Sequence, residues 1–217
     1  MGIISGILDI LFPPRCVFCR RFLRSGEKLV CADCVDKLPY TTGGGRQTGD
    51  FFSICVAPLY YEGHVRDSLL RFKFKDATGN AKAYGKLLAD CIRTELSGSY
   101  DLISWVPLSS KRLKERGYDQ SMLLAMAAAL ELDDVAVCTL EKVKDVEKQS
   151  QMGSVEKRRA NISGAYRAAD PELVAGKRIL LIDDIVTTGS TLSECARTLL
   201  AAGAGEVLCA AVARGRD

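Results

Sequence analysis

The stretch RILLIDDIVTTGSTL, from Arg178 to Leu192, constrains this chain most. A dense apolar run delivers two adjacent acids, Asp183 and Asp184, to its carboxyl end. Val186, Thr187, Thr188, Gly189, Ser190 and Thr191 follow and lead into the helical pattern TLSECARTLLAAGA. The apolar run reads as a buried strand, and ligands of open α/β sheets bind at the carboxyl ends of such strands. A small, hydroxyl-rich loop before a helix N-terminus presents N–H groups and hydroxyls to a phosphate. Gly189 lets the backbone curl around it. A phosphate and a polyol would then sit side by side, with the acids taking hydroxyls directly or through Mg²⁺. The chain has no GxxxxGK[ST] sequence, which excludes a P-loop nucleotide site. Gly203-Ala204-Gly205 follows a helix instead of opening one, so it reads as a helix stop.

From Phe51 to Asp217 strand-like and helix-like patterns alternate, which implies a parallel sheet wound in βαβ units. FFSICVAPLYY, DLISWVPL, VAVCTLEKV, KRILLID and EVLCAAVAR read as strands. NAKAYGKLLADCIRTEL places Tyr84, Leu87, Leu88, Cys91 and Ile92 on one helical face. In the last helix Leu192, Cys195, Ala196 and Leu199 point inward. Asp119 is placed to cap DQSMLLAMAAALEL. HVRDSLLRFKF reads as helix or turn passing into a basic edge. There Arg66, Arg71, Lys73 and Lys75 interleave with Phe72 and Phe74, which describes either a half-buried strand with a charged face or a single-strand-binding surface; the strand is favoured. His64, the only histidine, is assigned no role.

Cys16 and Cys19 form one CxxC pair, Cys31 and Cys34 a second, with 11 residues between the pairs. Four thiolates at this spacing make the closed tetrahedral shell of a structural zinc site. A segment of about 40 residues has too little core to fold alone, so a metal is the expected staple. Neither pair follows the βα pattern of a thioredoxin-like redox site. Cys55, Cys91, Cys138, Cys195 and Cys209 lie in apolar runs and are expected to be buried. Nine cysteines, an odd number in a mid-sized chain, indicate reduced thiols and a cytoplasmic setting.

Residues 1–40 read as the zinc-binding segment, 41–50 as a Gly-rich linker and 51–217 as the main domain, which suits 217 residues. A net charge of +3 is too weak to mark a nucleic-acid binder. The apolar start MGIISGILDILFPP lacks a signal peptide's basic region and cleavage site. It is also shorter than the roughly 20 residues that span a bilayer. It reads as a short helix docked on its own protein, with a partner or membrane surface as the alternative.

The run from Ile179 to Thr191 closely resembles the phosphoribosyl pyrophosphate signature of type I phosphoribosyltransferases. That resemblance implies a parallel sheet flanked by helices, here with a small N-terminal zinc segment. By it Asp183 and Asp184 contact the ribose hydroxyls, and Val186, Thr187, Thr188, Gly189, Ser190 and Thr191 wrap the 5′-phosphate. It also implies Mg²⁺ bound with phosphoribosyl pyrophosphate. A second loop, Pro107 to Arg112, would take the pyrophosphate through Ser109, Ser110, Lys111 and Arg112, because a leaving group of growing negative charge needs donors and cations.

RLKERGYDQSMLLA, from Arg112 to Ala125, resembles the RGxxQ motif of the ComF (competence protein F) family. The four-cysteine segment, YYEGHVRDSLLRFKFKD and QMGSVEKRRANISGAY also fit that family, the last through Gln151, Arg158, Asn161, Gly164, Ala165 and Tyr166. The resemblance implies a zinc-bearing, phosphoribosyltransferase-like protein linked to single-stranded DNA and uptake proteins in natural transformation. Residues 141–160 carry six basic and four acidic side chains, either as a mobile loop closing over substrate or as a charged surface connection. Two functions follow. One is an enzyme that transfers the phosphoribosyl group by positioning and charge stabilisation, with no evident general base. The other is a non-catalytic sensor or scaffold that binds DNA or a partner.

Overall fold

The computed structural model describes residues 13–74, 77–144 and 164–216. In chain order the elements are α1 (Ala32–Lys37), a 3₁₀ turn (Gly43–Gly45), β1 (Cys55–Val56), β2 (Leu59–Tyr60), α2 (Gly63–Phe74), a second 3₁₀ turn (Thr78–Asn80) and α3 (Ala81–Glu95). Then come β3 (Leu102–Trp105), α4 (Ser110–Arg116), α5 (Gln120–Glu131), β4 (Leu140–Lys142), β5 (Tyr166–Ala168), α6 (Pro171–Val174), β6 (Arg178–Val186), α7 (Ser190–Ala201) and β7 (Glu206–Arg214).

The main sheet is wholly parallel, in the order β1-β7-β6-β3, with β2 continuing β1 along the same edge of β7. β6 and β7 are central and covered on both faces, which is why they read as continuous apolar runs. The two-residue pleat sorts their side chains. Leu180, Ile182, Leu208, Ala210 and Val212 face a core shared with α2, α3 and α5, while Ile179, Leu181, Val207, Cys209 and Ala211 pack with Cys195, Ala196 and Leu199 of α7. β4 and β5 form a separate antiparallel pair.

α3 and α5 approach closely because Gly85 has no side chain: a Cβ there would lie 2.5 Å from that of Ala127. Gly85→Val should therefore lower stability by about 2–3 kcal/mol through overpacking. Urea unfolding checks this: the midpoint should fall at unchanged slope.

Several expectations need correction. Arg66 to Phe74 is helix, not the favoured strand; Val65, Ser68, Leu69 and Phe72 make the buried stripe. Cys138 is exposed, whereas Cys55, Cys91, Cys195 and Cys209 are buried. VAVCTLEKV pairs in part: Ala136 bridges Ile103 and only Leu140–Lys142 is strand. The stretch 41–50 is tied along the outer edge of β1 and β2. Gln47 and Cys55 exchange backbone hydrogen bonds, Thr41 Oγ1 donates to the Ala57 carbonyl, and Arg46 pairs with Glu95. Gly45 holds φ +57, and a Cβ on it would strike the Ala57 carbonyl oxygen at 2.5 Å. The glycines thus serve close approach over an edge that would otherwise lie open. The N-terminal run 1–12 and most of the charged connection (145–163) lie outside the described residues.

Candidate functional site

Pairing between β3 and β6 ends at Trp105 and Ile182, but β6 continues beside β7 to Val186. β6 therefore overhangs the end of β3, and Asp183 and Asp184 lie on that overhang, which marks the candidate crevice. Parallel sheets bind ligands at such places, outside the carboxyl ends of the strands. Asp184 follows Leu180 and Ile182 in the pleat, toward the face covered by α2. There Lys73, in the last turn of α2, brings Nζ to 2.6 Å from Asp184 Oδ2. The contact is an ion pair off hydrogen-bond alignment, so that buried oxygen has no aligned donor among the described residues. Asp183 Oδ1 accepts from Ser121 Oγ at 2.9 Å and from the Asp184 N–H at 2.8 Å.

Burial, then the charge of Asp184, holds the Asp183 carboxyl well above the usual range, at about 7. Lys73, the Asp184 N–H and Ser121 oppose that rise. Desolvation works against the charge on Lys73, but Asp184 and Asp183 together hold its pKa above the ordinary lysine value. Burial lowers Arg116 and raises Asp119, the two charged groups flanking the pair. Asp183→Asn would keep the oxygen that serves Ser121 and Asp184 while removing a confined charge. A raised carboxyl pKa gives stability that is complete below about 4 and lost as pH climbs through about 7. Asp183→Asn should therefore stabilise the empty protein at pH 8 by about 1 kcal/mol, discounted because the side chain keeps some solvent contact. Paired thermal melts at pH 8 and pH 4 test this; a gain equal at both would contradict the electrostatic account.

The loop after β6 turns at Gly189, which has φ +70 and forms the N-cap of α7 without a side-chain cap. Thr187 and Thr188 are exposed, and Thr188 and Ser190 share a hydroxyl hydrogen bond of 2.9 Å. Val186 is buried and Thr191 half-buried. A Cβ on Gly189 would approach Phe52 at 3.2 Å, so bulk there is strained twice, by conformation and by space.

The loop after β3 begins α4. Ser109 is buried as its N-cap and accepts from the Arg112 N–H at 3.4 Å, so its hydroxyl is committed locally. Ser110 and Lys111 are exposed, and Arg112 is half-buried. Asp119 caps α5, accepting from the Met122 N–H, and its other oxygen accepts from the Leu108 N–H at 2.8 Å. One carboxylate thereby joins the β3 loop to the helix that supplies Ser121.

The sequence reading missed Lys73, Ser121 and Arg116 as parts of this crevice. The sequence sets Lys73 beside Arg71 on a charged face, but Arg71 donates to the Val17 and Phe18 carbonyls whereas Lys73 forms an ion pair with Asp184. The signal for Lys73 is the 65-68-69-72 spacing, which puts it one residue past the buried Phe72.

Magnesium does not fit the acid pair as it stands. An ammonium rests on Asp184, and Asp183 Oδ1 is engaged by two donors. Zinc fits the four cysteines. The ligand sulfurs of Cys16, Cys19, Cys31 and Cys34 all lie within 4.8 Å of one another. A tetrahedral shell with Zn–S near 2.3 Å sets sulfurs about 3.8 Å apart. Glu27 organises the surrounding turn, accepting from the Arg24 and Ala32 N–H groups and from Arg21. Those bonds hold its carboxyl down at about 2.

The family model for a phosphoribosyl transferase domain matches residues 119–217, and that for a double zinc ribbon domain matches residues 7–46. Competence protein F of Haemophilus influenzae is 29% identical over 89% of this chain and 93% of that protein. Competence protein ComFC of Bacillus subtilis is 28% identical, covering 84% and 82%. The DNA utilization protein YhgH of Escherichia coli O157:H7 is 36% identical, covering 88% and 86%. Among solved structures, glutamine phosphoribosylpyrophosphate amidotransferase from B. subtilis aligns with a TM-score of 0.44 at 22% identity, over 64% of this chain and 30% of that one. No helix among the described residues is long and apolar enough to cross a membrane.

Proposed function

The chain belongs to the ComF (competence protein F) family of the phosphoribosyltransferase superfamily, and from that premise we propose that it binds phosphoribosyl pyrophosphate in the crevice beyond β3 and β6. One observation carries the reading: an adjacent pair of acids at the edge where β3 pairing stops runs directly into a glycine-turned, hydroxyl-rich loop at a helix N-terminus. The acids accept from the ribose hydroxyls. The N–H groups and hydroxyls of Thr187, Thr188, Gly189, Ser190 and Thr191 hold the 5′-phosphate. Ser110, Lys111 and Arg112 face the pyrophosphate from the β3 loop, with Ser109 shaping that loop as a cap. In transfer, the bond from C1 to the pyrophosphate oxygen breaks, the leaving group carries off the electron pair, and an acceptor nucleophile bonds to C1. The protein's contribution is orientation and neutralisation of the departing charge.

Isothermal titration tests the pocket, with ribose 5-phosphate and pyrophosphate as partial ligands. Saturable one-to-one binding of phosphoribosyl pyrophosphate, tighter than either fragment, is the expected result; absence of heat at millimolar ligand overturns the reading. Pyrophosphate release in the presence of bases or nucleic acids then separates an enzyme from a binding module.

The relatives named for competence and DNA utilization support single-stranded DNA as a partner. The surface that suits it lies on the cysteine segment, where Arg15, Arg20, Phe22, Arg24 and Lys28 are all exposed. Phe22 lies beneath the Arg15 guanidinium at 4.0 Å. Strand binding that weakens steeply with salt and is lost with Phe22→Ala supports this surface.

A further inference from the structure

We propose that Lys73 is the built-in counter-ion of the acid pair, closing Asp184 to divalent metal in the empty crevice and yielding to the hydroxyls of an entering sugar phosphate. For its ligand this inference rests on the proposed function; for its metal it does not.

Type I phosphoribosyltransferase-like pockets are expected to meet magnesium at paired acids, yet here the place beside Asp184 is taken by a protein cation at 2.6 Å. Asp184 is 5% exposed, too enclosed to carry an uncompensated charge. The ammonium and the metal compete for the same oxygen, since magnesium also seeks a hard carboxylate ligand. Arg116, Asp183 and Asp119 are the other charged groups around the pair. Two cations against three acids leave little excess negative charge to draw in a dication.

The position of Lys73 is imposed from several sides. Ser68 Oγ donates to the Val17 carbonyl at 2.6 Å and shares a hydrogen bond of 2.5 Å with Tyr84. Arg71 donates to the Val17 and Phe18 carbonyls at 3.1 and 2.7 Å. Phe72 is fully buried, packs edge-on to Tyr84, and its carbonyl accepts from the Tyr118 hydroxyl. The Arg116 guanidinium sits 5.0 Å over the Phe74 ring. The last turn of α2 is therefore fastened to the cysteine segment, to α3 and to the α4–α5 connection. An ammonium on a helix turn so fixed is a placed charge. Only its methylene stem is free to swing, so it can leave Asp184 when hydroxyls replace it.

The test uses Mn²⁺ as probe, followed by electron paramagnetic resonance on the intact, zinc-loaded protein. The wild type should show no Mn²⁺ site that Asp184→Asn removes. Lys73→Met should gain one, binding at least about tenfold tighter, because one opposing charge has gone. Lys73→Met combined with Asp184→Asn should lose it again, and Lys73→Arg should behave as wild type. An Asp184-dependent Mn²⁺ site in the wild type overturns the proposal, as does a folded Lys73→Met protein that gains none. If Lys73→Met fails to fold, Lys73→Gln carries the same comparison, and the wild-type against Asp184→Asn measurement decides in either case. Phosphoribosyl pyrophosphate titrated in the presence of a metal chelator forms a separate arm. Complete absence of binding by the wild type, even with magnesium restored, with the Mn²⁺ pattern intact, sinks the ligand reading and leaves Lys73 as counter-ion standing.

Discussion

Asparagine at position 184 should weaken phosphoribosyl pyrophosphate binding by about 10- to 150-fold, since a charge-assisted hydrogen bond contributes roughly 1.5–3 kcal/mol. The amide keeps the shape of the acid but loses its charge. It also turns an N–H₂ group toward either the ribose hydroxyls or Lys73, which lies 2.6 Å from the native oxygen. The loss should appear in the titration at a temperature well below melting, with zinc content and circular dichroism unchanged. An affinity equal to that of the wild type would remove Asp184 from the pocket and take the ribose assignment with it.

The second large effect concerns the metal. Cys31→Ser should release zinc and unfold residues 13–38 while the parallel sheet persists. Cys31 is fully buried, its N–H donates to Cys16 Sγ at 3.4 Å, and its sulfur lies 3.6 Å from that of Cys19. A serine oxygen is shorter and is not ionised near neutral pH, so the fourth ligand is lost. Val17, Phe18 and Leu38 are the few apolar side chains the segment buries, and metal binding supplies most of its folding free energy. Hydrogen exchange should show protection of the backbone amides of Cys16, Val17 and Arg20 falling by at least about a hundredfold, while amides of β6 and β7 keep theirs. A zinc-free protein with unchanged protection in that segment would show that the cysteines fold it without metal.

Much of this was legible in the residues. β6 and β7 announce themselves because a strand buried on both faces has no polar positions to interrupt it. The four cysteines did so because spacing alone brings them together. The crevice was half legible. Asp183, Asp184 and Gly189 lie within one continuous segment, so a single strand and turn position them. Lys73 and Ser121 come from helices distant in sequence, and only the packing of α2 and α5 on the sheet brings them to the acids. The error at Arg66 to Phe74 has a specific cause. The last four residues alternate charge and ring, a period of two, whereas the helical stripe needs the earlier Val65, Ser68 and Leu69 to be seen. Ser68 hid that stripe, because a serine fully enclosed between Tyr84 and a backbone carbonyl looks like a solvent-facing residue in sequence. The Gly-rich stretch misled for a related reason. Glycine marks both loose chain and tight contact, and only the Ala57 carbonyl beside Gly45 tells which.

The grip of the Val17 and Phe18 carbonyls on Ser68 and Arg71 makes the two ends of the molecule answer to each other. Oxidants or chelators that strip the cysteines would slacken the helix that presents Lys73, and the crevice would then face its ligand with its own balance of charge disturbed. On the proposed reading, damage at the thiols would register as a change in sugar-phosphate affinity, with no moving domain required.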